Sequence, residues 1–77
     1  MNIYWCNEKN EPYGLFVIAS TRGRAKLLYA TETDCDYLDV RMQTMRRGVN
    51  EHFEGTIDEG SPLLAKYGLE YSESEEW

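Results

Sequence analysis

Three basic side chains at alternating positions mark the first place where this chain could do chemistry. Arg22, Arg24 and Lys26 follow Ser20 and Thr21, whose hydroxyls are typical caps for a helix start. Guanidinium groups beside the amides of a first helical turn suit a phosphate or a carboxylate. The spacing therefore predicts an anion site at Arg22, Arg24 and Lys26. Surface charges more often pair with acidic residues of their own chain, so this second interpretation stays open.

Three aspartates form an acidic stretch that matches a calcium loop only in part. Asp34, Asp36 and Asp39 are spaced like carboxylate ligands, but the glycine and the terminal glutamate of such a loop are missing. We therefore expect neither a metal site nor a bound cofactor. The aspartates and the acidic C-terminal segment are instead predicted to contact a partner protein. The predicted partner-binding residues are Asp34, Asp36, Asp39, Glu70, Glu73, Glu75, Glu76 and Trp77.

The other reactive side chains do not form a motif for catalysis. The single histidine, His52, lies between Glu51 and Glu54, with no second histidine or cysteine at a useful spacing. Cys6 and Cys35 lack zinc spacing, and one disulfide between them stays open as the alternative to two reduced thiols. The sequence contains no glycine-rich phosphate loop and no nucleophile motif. We therefore expect a protein that is not an enzyme.

The elements that would position these residues follow from hydrophobic patterning. Apolar, β-rich runs at 2–6 and 15–19 predict two strands joined by a hairpin-like connection. The second run is apolar at every position. This predicts a central strand that is covered on both faces, or on one face by another subunit. A helix is predicted from residue 21 to about residue 29, followed by a polar loop at 31–36.

The second half of the chain is less regular. Residues 37–45 alternate between apolar and polar, which predicts a third strand with Leu38, Val40 and Met42 on one face. Residues 49–57 fit either a strand that pairs with this third strand or an irregular loop.

A short helix is predicted close to the C-terminus. Ser61 is its cap, Pro62 takes its first position, and Gly68 ends it. Together these elements predict one α+β domain over residues 1–71, built as β-β-α-β and a short helix. Its three- to four-stranded, mostly antiparallel sheet would carry one helix on a face. Residues 72–77 are predicted to form an acidic flexible tail.

Charge is distributed unevenly along the 77 residues, whose net charge is −6. Residues 1–50 carry seven basic and six acidic side chains, whereas residues 51–77 carry one basic and eight acidic side chains. This balance disfavours non-specific binding to nucleic acid or to anionic membranes. It favours a basic partner, or it serves solubility alone, which is the commoner role of such charge. No apolar run approaches the ~20 residues of a membrane span, and no signal peptide is predicted, so we expect a cytoplasmic protein.

The chain also resembles proteins of one biological class. The resemblance rests on Asn-Glu-Pro-Tyr-Gly followed by Phe-Val-Ile-Ala-Ser-Thr-Arg-Gly-Arg-Ala-Lys at 10–26, and on Asp-Tyr-Leu-Asp-Val-Arg at 36–41. Over roughly the first 47 residues the pattern is similar to small uncharacterised proteins of phages and mobile elements. Some small acidic phage proteins inhibit host defence, anti-CRISPR proteins among them. The resemblance therefore implies an inhibitor, and it assigns no role to any single residue.

We expect a non-enzymatic accessory protein, an inhibitor that occupies the basic, nucleic-acid-binding surface of a host protein such as a defence nuclease. One alternative is a structural subunit that forms a homodimer or larger oligomer. The other is a small nucleic-acid-binding protein. Its predicted contact residues are Arg22, Arg24, Lys26, Arg41, Arg46 and Arg47.

Overall fold

Four antiparallel strands and two helices make up the described part of this protein, so the prediction of a small α+β fold is confirmed. The computed structural model describes residues 1–9 and 14–69. A 3₁₀ turn at Tyr37–Asp39 leads into the third strand. The strands are Asn2–Glu8 (β1), Gly14–Ala19 (β2), Val40–Arg46 (β3) and Gly55–Ile57 (β4), and the helices are Arg22–Thr33 (α1) and Pro62–Lys66 (α2).

The strands lie in the order β3-β1-β2-β4, and every neighbouring pair is antiparallel. In the β1–β2 hairpin, Asn2 is opposite Ala19 and Asn7 is opposite Gly14. A β-carbon at Gly14 would collide with the carbonyl oxygen of Cys6, so this position requires glycine. Because β2 and β3 both pair antiparallel with β1, they run parallel to each other. The connection through α1 therefore crosses over β1.

Each face of the sheet has its own apolar core, because the two central strands are apolar on both sides. The face covered by α1, here the α1 face, buries Tyr4, Cys6, Val17, Ala19 and Val40 against Ala25, Tyr29 and Ala30 of the helix. The opposite face, here the α2 face, buries Ile3, Phe16, Ile18 and Ile57 against Val49, Leu64 and Leu69. Of the two alternatives for the apolar second strand, the structure contains the first: this chain covers both faces of β2.

Helix α1 is longer than its apolar pattern predicts. The Thr21 hydroxyl caps its start, accepting a hydrogen bond from the Arg24 amide at 3.2 Å. At the other end the Thr33 hydroxyl donates to the Tyr29 carbonyl at 2.8 Å, and Asp34 ends the helix in the left-handed conformation with φ 57°. The predicted loop at 31–36 is thus wrong for residues 31–33. These polar residues lie on the exposed side of the last turn, where polarity does not oppose helix formation.

The third strand begins later than predicted, because a side chain closes a turn before it. Asp36 accepts a hydrogen bond from the Leu38 amide at 2.9 Å, and this local bond holds Tyr37–Asp39 in a 3₁₀ turn. The prediction that Leu38 shares a covered face with Val40 is wrong: Leu38 is 82% exposed, whereas Val40 is buried.

An irregularity in β3 changes the face on which its last residue lies. Tyr4 is opposite Thr44, but Ile3 is opposite Arg46, so Met45 is an extra residue in the pairing with β1. Arg46 consequently lies on the α2 face, where its Nε donates to the carbonyl oxygen of Tyr67 at 2.9 Å.

The region from Val49 to Ile57 is mostly irregular. Only Gly55–Ile57 forms a strand, and it pairs with β2 at the far edge of the sheet. Of the two alternatives for residues 49–57, pairing with the third strand is therefore wrong, and the irregular loop is present at residues 49–54. The preceding residues pass over the α2 face, with buried Val49 donating its amide proton to the Met1 carbonyl at 2.8 Å. A chain that crosses this face reaches the edge formed by β2, not the one formed by β3.

The residues predicted to begin and end the short helix α2 have these roles in the structure. The Ser61 hydroxyl accepts a hydrogen bond from the Leu63 amide at 3.3 Å, Pro62 opens the helix, and Gly68 follows it with φ 70°. Leu69 then donates to the Leu64 carbonyl at 2.7 Å. The predicted acidic tail and the domain boundary at residue 71 lie outside the described residues.

Candidate interaction surfaces

The three aspartates predicted to bind a partner are all exposed on one turn, here the acidic turn (residues 34–39). Asp34 ends α1, and its amide donates to the Ala30 carbonyl. Asp36 holds the Leu38 amide, and the carbonyl oxygen of Asp39 accepts a hydrogen bond from the Lys9 amide at 2.8 Å. The carboxylates therefore lie on a turn that is fixed by its own backbone bonds and by β1.

The acidic turn also presents apolar side chains to solvent. Leu38 is 82% exposed and Tyr37 is 42% exposed. The Lys26 ammonium lies 4.7 Å from the centroid of the Tyr37 ring, a cation–π distance that holds the ring against α1. Large apolar side chains left in water beside charged groups are typical of protein-interaction sites.

The acidic turn does not form a metal site in the described part of the chain. Within residues 1–9 and 14–69, no three His, Cys, Asp or Glu side chains come close enough together to hold a metal ion. The remaining predicted partner-binding residues lie outside the described residues. They are Glu70, Glu73, Glu75, Glu76 and Trp77.

The three residues of the predicted anion site lie on two different sides of α1. The Arg24 guanidinium donates to one oxygen of Glu54 from Nε at 3.1 Å and from Nη2 at 3.0 Å. The other Glu54 oxygen accepts from the amide and the hydroxyl of Ser20, both at 2.9 Å. The bonds from Ser20, with those from Arg24, lower the pKa of Glu54. Arg24 therefore pairs with the chain's own carboxylate, as the second interpretation predicts.

Arg22 and Lys26 lie on the other side of α1, beside strand β3. Arg22 Nη1 donates to the Thr44 hydroxyl at 3.2 Å. With Arg41 they line an open cleft of about 500 Å³ between the helix and the strand, here the α1/β3 cleft. None of these three cations pairs with a carboxylate of residues 1–9 or 14–69. The lining residues are Arg22, Gly23, Lys26, Val40, Arg41 and Met42.

The six basic residues proposed for nucleic-acid binding do not share one surface. Arg22, Lys26 and Arg41 border the α1/β3 cleft, whereas Arg24 is held by Glu54, and Arg46 donates to the Tyr67 carbonyl on the α2 face. Arg47 is exposed immediately after β3.

The irregular segment at 50–54 has a structural role that sequence reasoning missed. Besides Glu54, it contributes Glu51, which accepts from Lys66 Nζ at 2.9 Å and from the Tyr67 hydroxyl at 3.1 Å. The hydrogen bond from Lys66 lowers the pKa of Glu51 and raises that of Lys66. Local spacing carries no signal for this, because the partners are 15 and 30 positions away. His52, between these glutamates, is exposed.

Both cysteines are free thiols, Cys6 buried and Cys35 half-buried. Burial in the α1-face core raises the pKa of Cys6 to about 12, against a smaller opposing effect of Arg22. The Cys35 sulfur lies 3.3 Å from the Thr33 hydroxyl oxygen. A thiol as protonated and enclosed as Cys6 is not a nucleophile at neutral pH.

An open cavity of about 710 Å³ lies beside α2, and Glu59 is the one titratable side chain among the described residues that line it. Neither helix of the described chain has the length and apolar character of a membrane span.

Comparison with protein-family models, with curated proteins and with solved structures found no match, so similarity assigns neither a family nor a function.

Proposed function

We propose that this protein is a non-enzymatic binding protein that docks through the acidic turn on a basic surface of another protein. The observation that supports this most is the exposed side chain of Leu38, beside Tyr37 and between the carboxylates of Asp36 and Asp39. An apolar anchor within a charged rim is the usual anatomy of a binding hot spot.

The rigidity of the acidic turn supports the same proposal. The Leu38 amide is bound to Asp36, the Asp39 amide donates to the Asp36 carbonyl at 2.9 Å, and β1 holds Asp39 through Lys9. A turn that is already ordered loses little conformational entropy when it binds. Leu38 can therefore enter a pocket of the partner without prior rearrangement.

The negative charge of the acidic turn indicates what kind of surface the partner has. The carboxylates of the acidic turn would attract a lysine- or arginine-rich surface and orient the encounter. The glutamates of residues 70–77 add negative charge to the same chain. A partner surface of this kind often holds nucleic acid. Occupying it would make the protein an inhibitor, in line with the phage proteins that the sequence resembles.

The two alternatives have less support. Nucleic-acid binding through six basic residues loses Arg24 and Arg46, which are engaged within the fold. An oligomer that covers an apolar β2 is not needed, because this chain buries both faces of that strand.

The test is a pull-down of the tagged full-length protein from a bacterial lysate, with and without nuclease, followed by calorimetry with the purified partner. We expect one dominant, nuclease-resistant partner. Exchanging the aspartates for amides (Asp34→Asn, Asp36→Asn, Asp39→Asn) should weaken its binding at least about tenfold and reduce the salt dependence. Leu38→Ser should weaken binding without reducing that salt dependence.

Matched controls use the same chemistry elsewhere on the surface. Asp58→Asn with Glu59→Gln removes exposed charges at the turn before α2, and Leu27→Ser removes an apolar group that is 47% exposed on α1. Neither should change the affinity. Recovery that depends on nucleic acid, or equal losses in test and control variants, would contradict the proposal.

A further inference from the structure

Strand β3 forms an open edge of the sheet. It pairs with β1 along one side, and none of the described strands pairs with the other side. At seven residues it is longer than β4, the three-residue strand at the opposite edge. A long unpaired edge can template the addition of another strand.

The ladder indicates which backbone groups of this edge face outward. The Lys9 amide donates to the Asp39 carbonyl, and bonded and non-bonded pairs alternate along an antiparallel ladder. Arg41 and Gln43 therefore direct their backbone groups toward β1. Met42 and Thr44 direct their N–H and C=O groups away from the sheet.

Cations from two elements surround this outward edge. Arg22 reaches from α1 to the side chain of Thr44, Lys26 lies one turn further along the helix, and Arg41 is exposed on β3 itself. An incoming strand would thus meet positive charge from the helix on one face and from Arg41 on the other face.

We propose that the open edge of β3 binds an extended acidic segment of a partner protein by strand addition. Backbone hydrogen bonds from Met42 and Thr44 provide the pairing, and Arg22 and Lys26, both on the α1 side of the edge, select carboxylates at alternating positions. This site adjoins the acidic turn, where Lys26 lies against Tyr37, but it uses different residues for binding and the opposite charge.

The charges on the α1 side disfavour a second copy of this chain at the edge. Antiparallel pairing of two β3 strands would place Arg22 and Lys26 of both copies on the same side of the joined sheet, where like charges repel. Asp39, directly before β3, repels carboxylates from the start of the strand, so the acidic residues are expected opposite residues 41–44.

Gly23 leaves room for the incoming chain. It lies in the first turn of α1 with no need for positive φ, and a β-carbon there would meet nothing within 4 Å. Packing among the described residues therefore does not explain a glycine, which is less favourable than alanine in a helix. Its absent side chain widens the α1/β3 cleft.

The experiment is an NMR titration of the full-length protein with a capped seven-residue peptide alternating threonine and glutamate. We expect shifts confined to residues 22–26 and 40–46, together with slower hydrogen exchange at the Met42 and Thr44 amides. Replacing two cations (Arg22→Gln, Lys26→Gln) should weaken binding about tenfold. Met42→Pro should abolish binding, because it removes an outward N–H while the bonds to β1 remain.

Several outcomes would overturn the proposal. One is peptide binding without protection of the Met42 and Thr44 amides. Another is equal binding of a peptide alternating threonine and lysine. A third is that inorganic phosphate or an oligothymidylate reproduces the whole response, which would make the cleft an ion or nucleic-acid site. Because Met42→Pro could unfold the chain, the double variant, which leaves the ladder unchanged, decides the matter. If the aspartate-to-asparagine triple variant still binds the peptide, the edge and the acidic turn act independently.

Discussion

The two faces of the sheet are covered in different ways. On the α1 face a single twelve-residue helix packs Ala25, Tyr29 and Ala30 against the strands. On the α2 face a five-residue helix and the irregular chain around it supply Leu64, Val49 and Leu69. The first cover is one regular element, and the second is assembled from pieces.

The difference shows what each cover needs from the rest of the molecule. A helix as short as α2 is not stable alone, because too few bonds follow its costly first turn. Polar contacts from distant residues hold it: Arg46 bonds the Tyr67 carbonyl, and Glu51 pairs with Lys66. α1 needs fewer such contacts, and its main one, from Glu54 to Arg24, ties down only its start. A regular helix covers the α1 face, whereas the cover of the α2 face depends on contacts between residues that are far apart in the chain.

The largest expected effect comes from a residue on which the α2 face depends. Ile18 of central β2 is fully buried, so Ile18→Ala should lower the free energy of unfolding by about 2–5 kcal/mol. Chains of this size have only about 3–5 kcal/mol, so we expect substantial unfolding in circular dichroism and urea titration. The exposed Leu27→Ala should stay within about 0.5 kcal/mol of the parent. Equal effects would contradict the assigned core.

An effect of intermediate size is expected at low pH, where the helices on the two faces should loosen through different glutamates. The pKa values of Glu51 and Glu54 are lowered from 4.5, so their contribution is fully present above about pH 4.5 and is lost as pH falls through the folded values. Stability should therefore fall below pH 4.5, and less steeply in Glu51→Gln and in Glu54→Gln. Hydrogen exchange should place the loosening in α2 for the first variant and at the start of α1 for the second. Unchanged acid dependence in both would refute these pairings.

The smallest expected effect concerns α1 alone. Gly23→Ala should raise the free energy of unfolding by about 0.5–1 kcal/mol, since alanine favours the helix and the added β-carbon meets nothing within 4 Å. Thermal unfolding measures the gain. A loss of stability would show that the start of α1 packs more tightly than described. Ala25→Gly, on the buried side, should destabilise the same helix.

Local patterns were enough for much of the fold. The apolar runs predicted β1 and β2, Thr21 predicted the start of α1, and Ser61 with Pro62 predicted the start of α2. These features depend on neighbours within a few positions, so the sequence displays them directly.

The errors have a common cause, which is competition from bonds that periodicity does not include. Leu38 fits a strand pattern, yet its amide donates to the side chain of Asp36. This bond holds a turn in which the Leu38 side chain lies in solvent. Residues 55–57 pair with β2, because the preceding chain has already crossed the α2 face. For the candidate site, the sequence supplied the three aspartates of the acidic turn but not the exposed leucine among them.

The sequence by itself determined several elements of this protein: two apolar strands, a capped helix after them and a short helix near the end that begins at a serine cap and a proline. Only the tertiary structure decided how charges are used. Arg24 and Arg46 are engaged within the fold, by Glu54 and by the Tyr67 carbonyl. Arg22, Lys26 and Arg41 border the cleft instead. The physical reason is distance along the chain. A helix cap is set within one turn, whereas an ion pair between residues 30 positions apart exists only after the sheet has brought them together.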